Sequence, residues 1–198
     1  MIITAIEQQK KNPDRFSIFV DGAYEFSLST DGLLDAGVAK GDELEPTRLE
    51  ELKKQSSDGL LLSRAYEKCL RRPHSSREIR DYLRRKGAEG ELIDHIIAKC
   101  QSAGVLSDEQ FANAWVQHRR TQGKSKRYIM NELRSKGIEQ SLAEAALEQS
   151  NSDDEASLQA VIAKKSARYP DEKKLIAYLQ RQGFRYDDIR RELDSDEA

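Results

Sequence analysis

Three similar segments recur at a nearly fixed spacing in the C-terminal two thirds of this 198-residue chain. IRDYLRRKG ends at Gly87, IMNELRSKG ends at Gly137, fifty residues later, and LIAYLQRQG ends at Gly183 after a further forty-six. Apolar residues four and eight positions before each glycine share one helix face. Glycine readily adopts the left-handed backbone conformation with which many helices end. Repeats of this length indicate an array of three-helix units that complete their cores against their neighbours.

The periodicity predicts a mainly α fold, in which an elongated tandem array of three three-helix repeats follows a small N-terminal β-rich domain. The predicted boundaries are 1–57 for the β-rich domain, with a hairpin and a linking helix, and 58–104, 105–150 and 151–198 for the repeats. The linking helix is expected over about 47–55 and is expected to break at Ser56–Asp58, whose residues favour caps and turns.

Two runs rich in β-branched and aromatic residues, IITAIEQQ and RFSIFV, predict strands separated by a turn at Asn12–Asp14. The dipeptide Asp21-Gly22 then predicts a tight hairpin into a third strand, AYEFSLS, because both turn positions need positive φ. Alternation along that strand predicts that Tyr24, Phe26 and Leu28 share one face.

The composition argues against several classes of function. The formal net charge is −2, with a mildly basic middle between acidic ends, so the chain lacks the strong basicity of a dedicated DNA-binding protein. We find no phosphate-binding loop, nucleophile with a partner base, or ligand cluster, and therefore expect no enzyme activity and no catalytic, cofactor or metal site. Cys69 and Cys100 are expected to be small buried hydrophobes. Without a signal sequence or a long apolar run, the chain is expected to be cytoplasmic, with no membrane contact.

Basic residues are the candidate binding residues for a partner or for DNA. They are Arg71, Arg72, Arg77, Arg80, Arg84, Arg85 and Lys86 in the first repeat, and Arg119, Arg120, Lys124, Lys126, Arg127, Arg134 and Lys136 in the second. One interpretation is a solvated surface with weak ion pairs, and the other is contact with phosphates or an acidic protein groove. The segment 124–127 also resembles the turn of a helix-turn-helix, in which Asn131 and Arg134 would reach bases.

Motifs in all three repeats resemble the RecX family, the regulators of the bacterial recombinase RecA. The resemblance covers roughly residues 60–198. It is carried by RPHS at 72–75 with YLRRKG at 82–87, by DEQFA at 108–112 with ELR at 132–134 and KGI at 136–138, and by KL at 174–175 with YL at 178–179 and GF at 183–184. The β-rich domain resembles an N-terminal extension found in part of that family.

This resemblance implies a curved helical array that lodges in the groove of the RecA filament on single-stranded DNA. There it would impede filament extension and lower ATPase and strand-exchange activity, so modulating recombination, DNA repair and the SOS response. The expected partners are the RecA filament and single-stranded DNA, bound directly or through RecA, with at most weak duplex binding. The chain is expected to act as a monomer without a cofactor. The alternative function is a helix-turn-helix-like transcription regulator.

Overall fold

The computed structural model describes residues 1–150 and 153–195 and is mainly helical, as predicted. Part of the predicted third repeat, 151–198, therefore lies outside the described residues. The strands are β1 (Ile3–Gln9), β2 (Asn12–Val20) and β3 (Ala23–Ser29). The helices are α1 (Thr30–Ala36), α2 (Pro46–Arg71), α3 (Ser76–Arg85), α4 (Gly90–Ser102), α5 (Asp108–Thr121), α6 (Lys126–Ser135), α7 (Gln140–Gln149), α8 (Asp154–Lys165), α9 (Glu172–Arg181) and α10 (Tyr186–Ser195), with a short 3₁₀ turn at Ser166–Arg168.

The chain divides into two compact units. The first comprises Met1–Leu70 and Tyr82–Cys100, and the second comprises Arg71–Asp81 and the described part of Gln101–Ala198. The four domains inferred from the repeat, with their bounds, stay a prediction.

The first unit begins with an antiparallel sheet in the order β1-β2-β3. Asp21 and Gly22 have φ values of 48° and 85°, which confirms the predicted tight hairpin between β2 and β3. The turn predicted at Asn12–Asp14 is wrong, because Asn12 already pairs with Gln9 and begins β2. The pairing of β1 with β2 changes register between Gln8 and Gln9, so Pro13 lies in an irregular part of the ladder. The N–H that proline lacks is therefore not missed in the pairing of the two strands.

A bulge in β3 separates two residues that were predicted to share a face. Ile18 pairs with Phe26, but Phe19 pairs with Tyr24, so Glu25 is an extra residue on β3. The bulge reverses the alternation, which leaves Tyr24 56% exposed while Phe26 is only 4% exposed. The prediction for Tyr24 is therefore wrong; its ring instead meets Phe19 edge-on at 6.1 Å.

Helix α2 runs without interruption, so the break predicted at Ser56–Asp58 is wrong. Ser57 Oγ donates to the carbonyl of Lys54 at 2.8 Å, within the helix. Ser56 Oγ donates to the carbonyl of Ser27 at 2.6 Å and so covers the outer edge of β3. These serines satisfy their hydroxyl groups without ending the helix, and the N-terminal half of α2 completes the sheet core with Leu49 and Leu52.

The second unit contains two further cores. The α5–α7 core comprises Phe111, Ala112, Val116, Ile129, Leu133, Ile138, Ala143, Ala146 and Leu147, and the α8–α10 core comprises Leu158, Val161, Ile162, Leu175, Leu179, Phe184 and Ile189. The predicted apolar pairs of the middle helices α3, α6 and α9 are at most 5% exposed. After these helices the glycines have φ values of 84°, 76° and 100°, which confirms their predicted role in helix termination.

Candidate partner-binding surface

The exposed face of α6 carries two arginines and an asparagine. Arg127, Asn131 and Arg134 are all exposed and follow one another at spacings of four and three residues. Ile129 and Leu133, which are fully buried, lie on the opposite side of the helix. Among the described residues, no carboxylate lies within ion-pair distance of Arg127 or Arg134. We call Arg127, Asn131 and Arg134 the α6 stripe; its side chains are available to a partner.

A cluster of polar side chains connects α5 to α6. Glu132 accepts hydrogen bonds from the Trp115 indole N–H at 3.0 Å and from Arg119 Nε at 2.7 Å. The guanidinium of Arg119 lies 4.4 Å from the centre of the Trp115 ring, and Lys136 Nζ lies 4.3 Å from it. Trp115 also stacks on Phe111 at 5.5 Å and is half-buried against the α5–α7 core. The cluster limits the freedom of α6 to move relative to α5.

Glu78 at the start of α3 forms a second half-buried ion pair. Lys136 Nζ donates to it at 2.6 Å, and Arg72 lies 3.4 Å away. Burial acts to raise the pKa of Glu78, but the hydrogen bond and charge of Lys136, with the charges of Arg72 and His74, outweigh burial. The pKa of this carboxyl therefore lies below its ordinary value, and the group is ionised when the pair forms.

The start of α3 and the end of α6 meet through a set of backbone contacts. Ser75, the residue before α3, donates from Oγ to the carbonyl of Lys136 at 2.9 Å. The backbone N–H of Ser76 donates to Asp108 Oδ1 at 2.7 Å. A Cβ placed on Gly137 would lie 2.8 Å from Arg77 Cδ. The glycine thus permits close packing in addition to ending its helix.

A similar arrangement joins the start of α6 to the end of α9, except that the serine donates from its backbone N–H instead of its hydroxyl. The N–H of Ser125 donates to the carbonyl of Gln182 at 3.1 Å, and the N–H of Lys126 donates to Asp154 Oδ1 at 2.8 Å. A Cβ on Gly183 would lie against Ser125 Oγ and 2.6 Å from Tyr128 Cβ. We call each set of aspartate, pre-glycine residue and glycine a socket. Sequence reasoning missed the aspartates, although they recur at the spacing of the glycines.

The fourteen predicted basic residues are divided between the two units. Arg84, Arg85 and Lys86 lie in the first unit and the others in the second. Nine are exposed, namely Arg71, Arg72, Arg77, Arg84, Arg85, Lys86, Lys126, Arg127 and Arg134, and five are half-buried, namely Arg80, Arg119, Arg120, Lys124 and Lys136. Partner contact stays a prediction for all of them.

Several of these basic residues stabilise the fold. Arg120 pairs with Asp154 at 2.7 Å, and its side chain is only 9% exposed. Arg119 and Lys136 belong to the ion pairs described above, and Lys124 Nζ lies over the Tyr128 ring at 4.1 Å. Arg119, Arg120 and Lys136 therefore form ion pairs within the fold, whereas the α6 stripe remains accessible.

Residues 1–150 and 153–195 contain no group of three or more His, Cys, Asp or Glu side chains placed to hold a metal ion. In the same ranges, no helix combines the length and the apolar character needed to cross a bilayer. Cys69 and Cys100 are free thiols and are buried, as predicted.

Protein-family models match three parts of the chain. Residues 1–45 match the regulatory protein RecX N-terminal domain, 62–100 match the first three-helix domain of RecX, and 107–147 match the second. The likeness to this family therefore includes the N-terminal sheet, beyond the range that the repeat motifs cover.

Individual relatives and solved structures agree with these matches. Regulatory protein RecX from Bacillus velezensis is 31% identical over 98% of this chain and 77% of its own length. Its counterpart from Bacillus subtilis is 32% identical, covering 97% of this chain and 76% of the relative. A crystal structure of regulatory protein RecX has a TM-score of 0.76 at 23% identity and covers 98% of both chains. RecX from Lactobacillus salivarius has a TM-score of 0.55 at 24% identity, covering 68% of this chain and 96% of that one. The structures support the fold, and by its sequence relatives the chain belongs to the RecX family of regulatory proteins.

Proposed function

We propose that this chain is a non-enzymatic, cytoplasmic regulator that binds the RecA filament on single-stranded DNA as a monomer. In this proposal it lowers ATP hydrolysis, filament extension and strand exchange, and thereby modulates recombination and DNA repair. The proposal is supported by membership of the RecX family together with the α6 stripe. Arg127 and Arg134 have no carboxylate partner in the described chain, and the polar cluster limits the movement of their helix. Their guanidinium groups are suited to binding phosphates or an acidic protein surface.

A binding experiment tests both the partner and the surface. Fluorescently labelled protein is titrated with RecA filaments assembled on single-stranded DNA with a slowly hydrolysed ATP analogue, and anisotropy is recorded. We expect saturable binding, and we expect Arg127→Ala with Arg134→Ala to weaken it by about tenfold, because each exposed charge contributes up to about 1 kcal/mol. The charge-matched control is Lys164→Ala with Lys173→Ala, two exposed lysines of the third repeat. Equal weakening in both variants would show a general charge effect, and no binding by the wild type would remove the proposal.

A second candidate function is duplex recognition by α6. It is favoured by one observation: α5 and α6 are joined by four residues, including Gly123 with φ of 73°, and α6 exposes Asn131 and Arg134. In a helix-turn-helix, the second helix presents such side chains to the major groove. The same titration with duplexes of different sequence and no RecA distinguishes the two functions, since the regulator is expected to bind every duplex weakly and with a steep dependence on salt. Tight binding to one duplex sequence without RecA would favour the second candidate.

A further inference from the structure

The socket described above occurs three times in the chain at the repeat spacing. The three sets are Asp58, Lys86 and Gly87 in the first repeat, Asp108, Lys136 and Gly137 in the second, and Asp154, Gln182 and Gly183 in the third. The second and third sockets are each filled by the start of the preceding middle helix. In both, the aspartate accepts a hydrogen bond from the N–H of the first helical residue, which is Ser76 or Lys126.

The first socket is open. Asp58, Lys86 and Gly87 line a cavity of about 850 Å³ in the first unit, together with residues that include Gly90 and Leu92. A Cβ on Gly87 would meet no atom within 4 Å, in contrast with the close approaches at the two filled sockets. Within the described residues, neither Asp58 nor Lys86 has an ion-pair partner. The first socket therefore has the same two kinds of acceptor that the filled sockets use, an aspartate carboxylate and the carbonyl of the residue before the glycine.

We propose that the Gly87 socket binds the N-terminal end of an α-helix of a partner protein. The filled sockets define the chemistry of that helix, because both take a serine as the residue before the helix and an arginine at its second position, Ser75 with Arg77 and Ser125 with Arg127. Asp58 faces the positive end of the incoming helix dipole and accepts from its first N–H. The Lys86 carbonyl accepts from the serine.

A second copy of this chain suits the socket poorly. Within the described residues, the middle helix whose start fills no socket is α9, which is preceded by Asp171 and begins with Glu172. Docking α9 would bring the carboxylates of Asp171 and Glu172 close to the carboxylate of Asp58, and these like charges would repel one another. A partner helix that begins with serine and carries arginine has complementary charge. The Gly87 socket and the α6 stripe consist of different residues. The chemistry required of the incoming helix is the same whichever protein supplies it.

The probe is a peptide of residues 123–137, the segment that fills the Gly183 socket, held helical by a side-chain bridge between exposed positions 131 and 135. Isotope-labelled full chain is titrated with it to about 1 mM and amide chemical shifts are followed. We expect concentration-dependent shifts at Gly87, Gly90 and Leu92, with the Gly183 signal unmoved because that socket is filled. The matched control peptide carries Lys126→Pro, which removes the first helical N–H while proline remains favourable at that position, and is expected to cause no shifts.

Variants of the full chain complete the test. Asp58→Asn is expected to weaken binding of the probe about tenfold, as loss of a charged hydrogen-bond acceptor does. Gly90→Leu is expected to abolish binding by filling the cavity without unfolding the protein, since a Cβ at Gly90 meets nothing within 4 Å. The control Gly59→Leu, in a helix and equally open but outside this cavity, is expected to bind like the wild type. The proposal would be overturned if the probe caused no shifts at the Gly87 socket, or if Asp58→Asn bound the probe as tightly as the wild type. It would also be overturned if the wild-type chain formed concentration-dependent dimers that Gly90→Leu did not form.

Discussion

The carboxylate of Asp154, in the first turn of α8, accepts a hydrogen bond from the backbone N–H of Lys126, the first residue of α6, at 2.8 Å. The same carboxylate pairs with the nearly buried Arg120 at 2.7 Å. One side chain therefore caps a helix of the second repeat from the third, and sets the register of the two helices. Because Asp108 does the same for α3, the repeated sequence encodes repeated junctions as well as repeated cores.

Asp154→Ala should destabilise the protein by about 2 kcal/mol, because it removes a helix cap and an ion pair of a mostly buried arginine. The measurement is the free energy of unfolding in urea. Asp153→Ala is the matched control: Asp153 precedes the same helix and its side chain makes no capping hydrogen bond, so a loss below about 0.5 kcal/mol is expected. Similar losses at the two positions would contradict the role given to Asp154.

Alanine at the three helix-ending glycines should cost unequal amounts of stability. Each glycine has positive φ, so each substitution should cost about 1 kcal/mol in backbone strain. Gly87→Ala should cost no more than this, because its Cβ meets open space. Gly183→Ala should cost at least about 1 kcal/mol more, because its Cβ would lie 2.6 Å from Tyr128 Cβ as well as against Ser125. Equal melting temperatures for the two variants would show that close packing at Gly183 is unimportant.

Glu78 should make stability depend on pH on the acid side. Its pKa is lowered in the folded protein, so its pair with Lys136 contributes fully above the ordinary glutamate pKa and is lost as the pH falls through the lower folded value. Glu78→Gln should therefore destabilise the protein by about 1 kcal/mol at neutral pH and by less at about pH 3. Unfolding free energies of both proteins at the two pH values give the comparison. A difference that is the same at both would contradict the ion-pair account.

The helical repeat was predictable because its signal is local and is repeated. The pairs Ile129 with Leu133 and Leu175 with Leu179 are separated by one helical turn, and glycine marks each helix end, so spacing alone identified the buried faces. Arg127 and Arg134 were named as candidate binding residues from their charge, and both are exposed on α6.

The errors came from contacts that spacing does not encode. The bulge at Glu25 inverts the face of Tyr24, and nothing in the alternation of AYEFSLS marks the extra residue. Ser56 favours a helix break in isolation, but its hydroxyl is satisfied by Ser27, a partner distant in sequence. Arg120 resembled a surface charge because its partner, Asp154, lies thirty-four residues away. The sockets were missed for the same reason, although their aspartates recur with the glycines.

The rate of ATP hydrolysis by RecA on single-stranded DNA, measured with the wild-type chain added, decides whether the chain has the proposed function. We expect the rate to fall in proportion to the added protein and to be strongly lowered at amounts below one chain per RecA protomer, because in the proposed function each bound chain blocks extension of a filament. An ATPase rate that stays unchanged at one chain per protomer would show that the chain does not regulate RecA in this way.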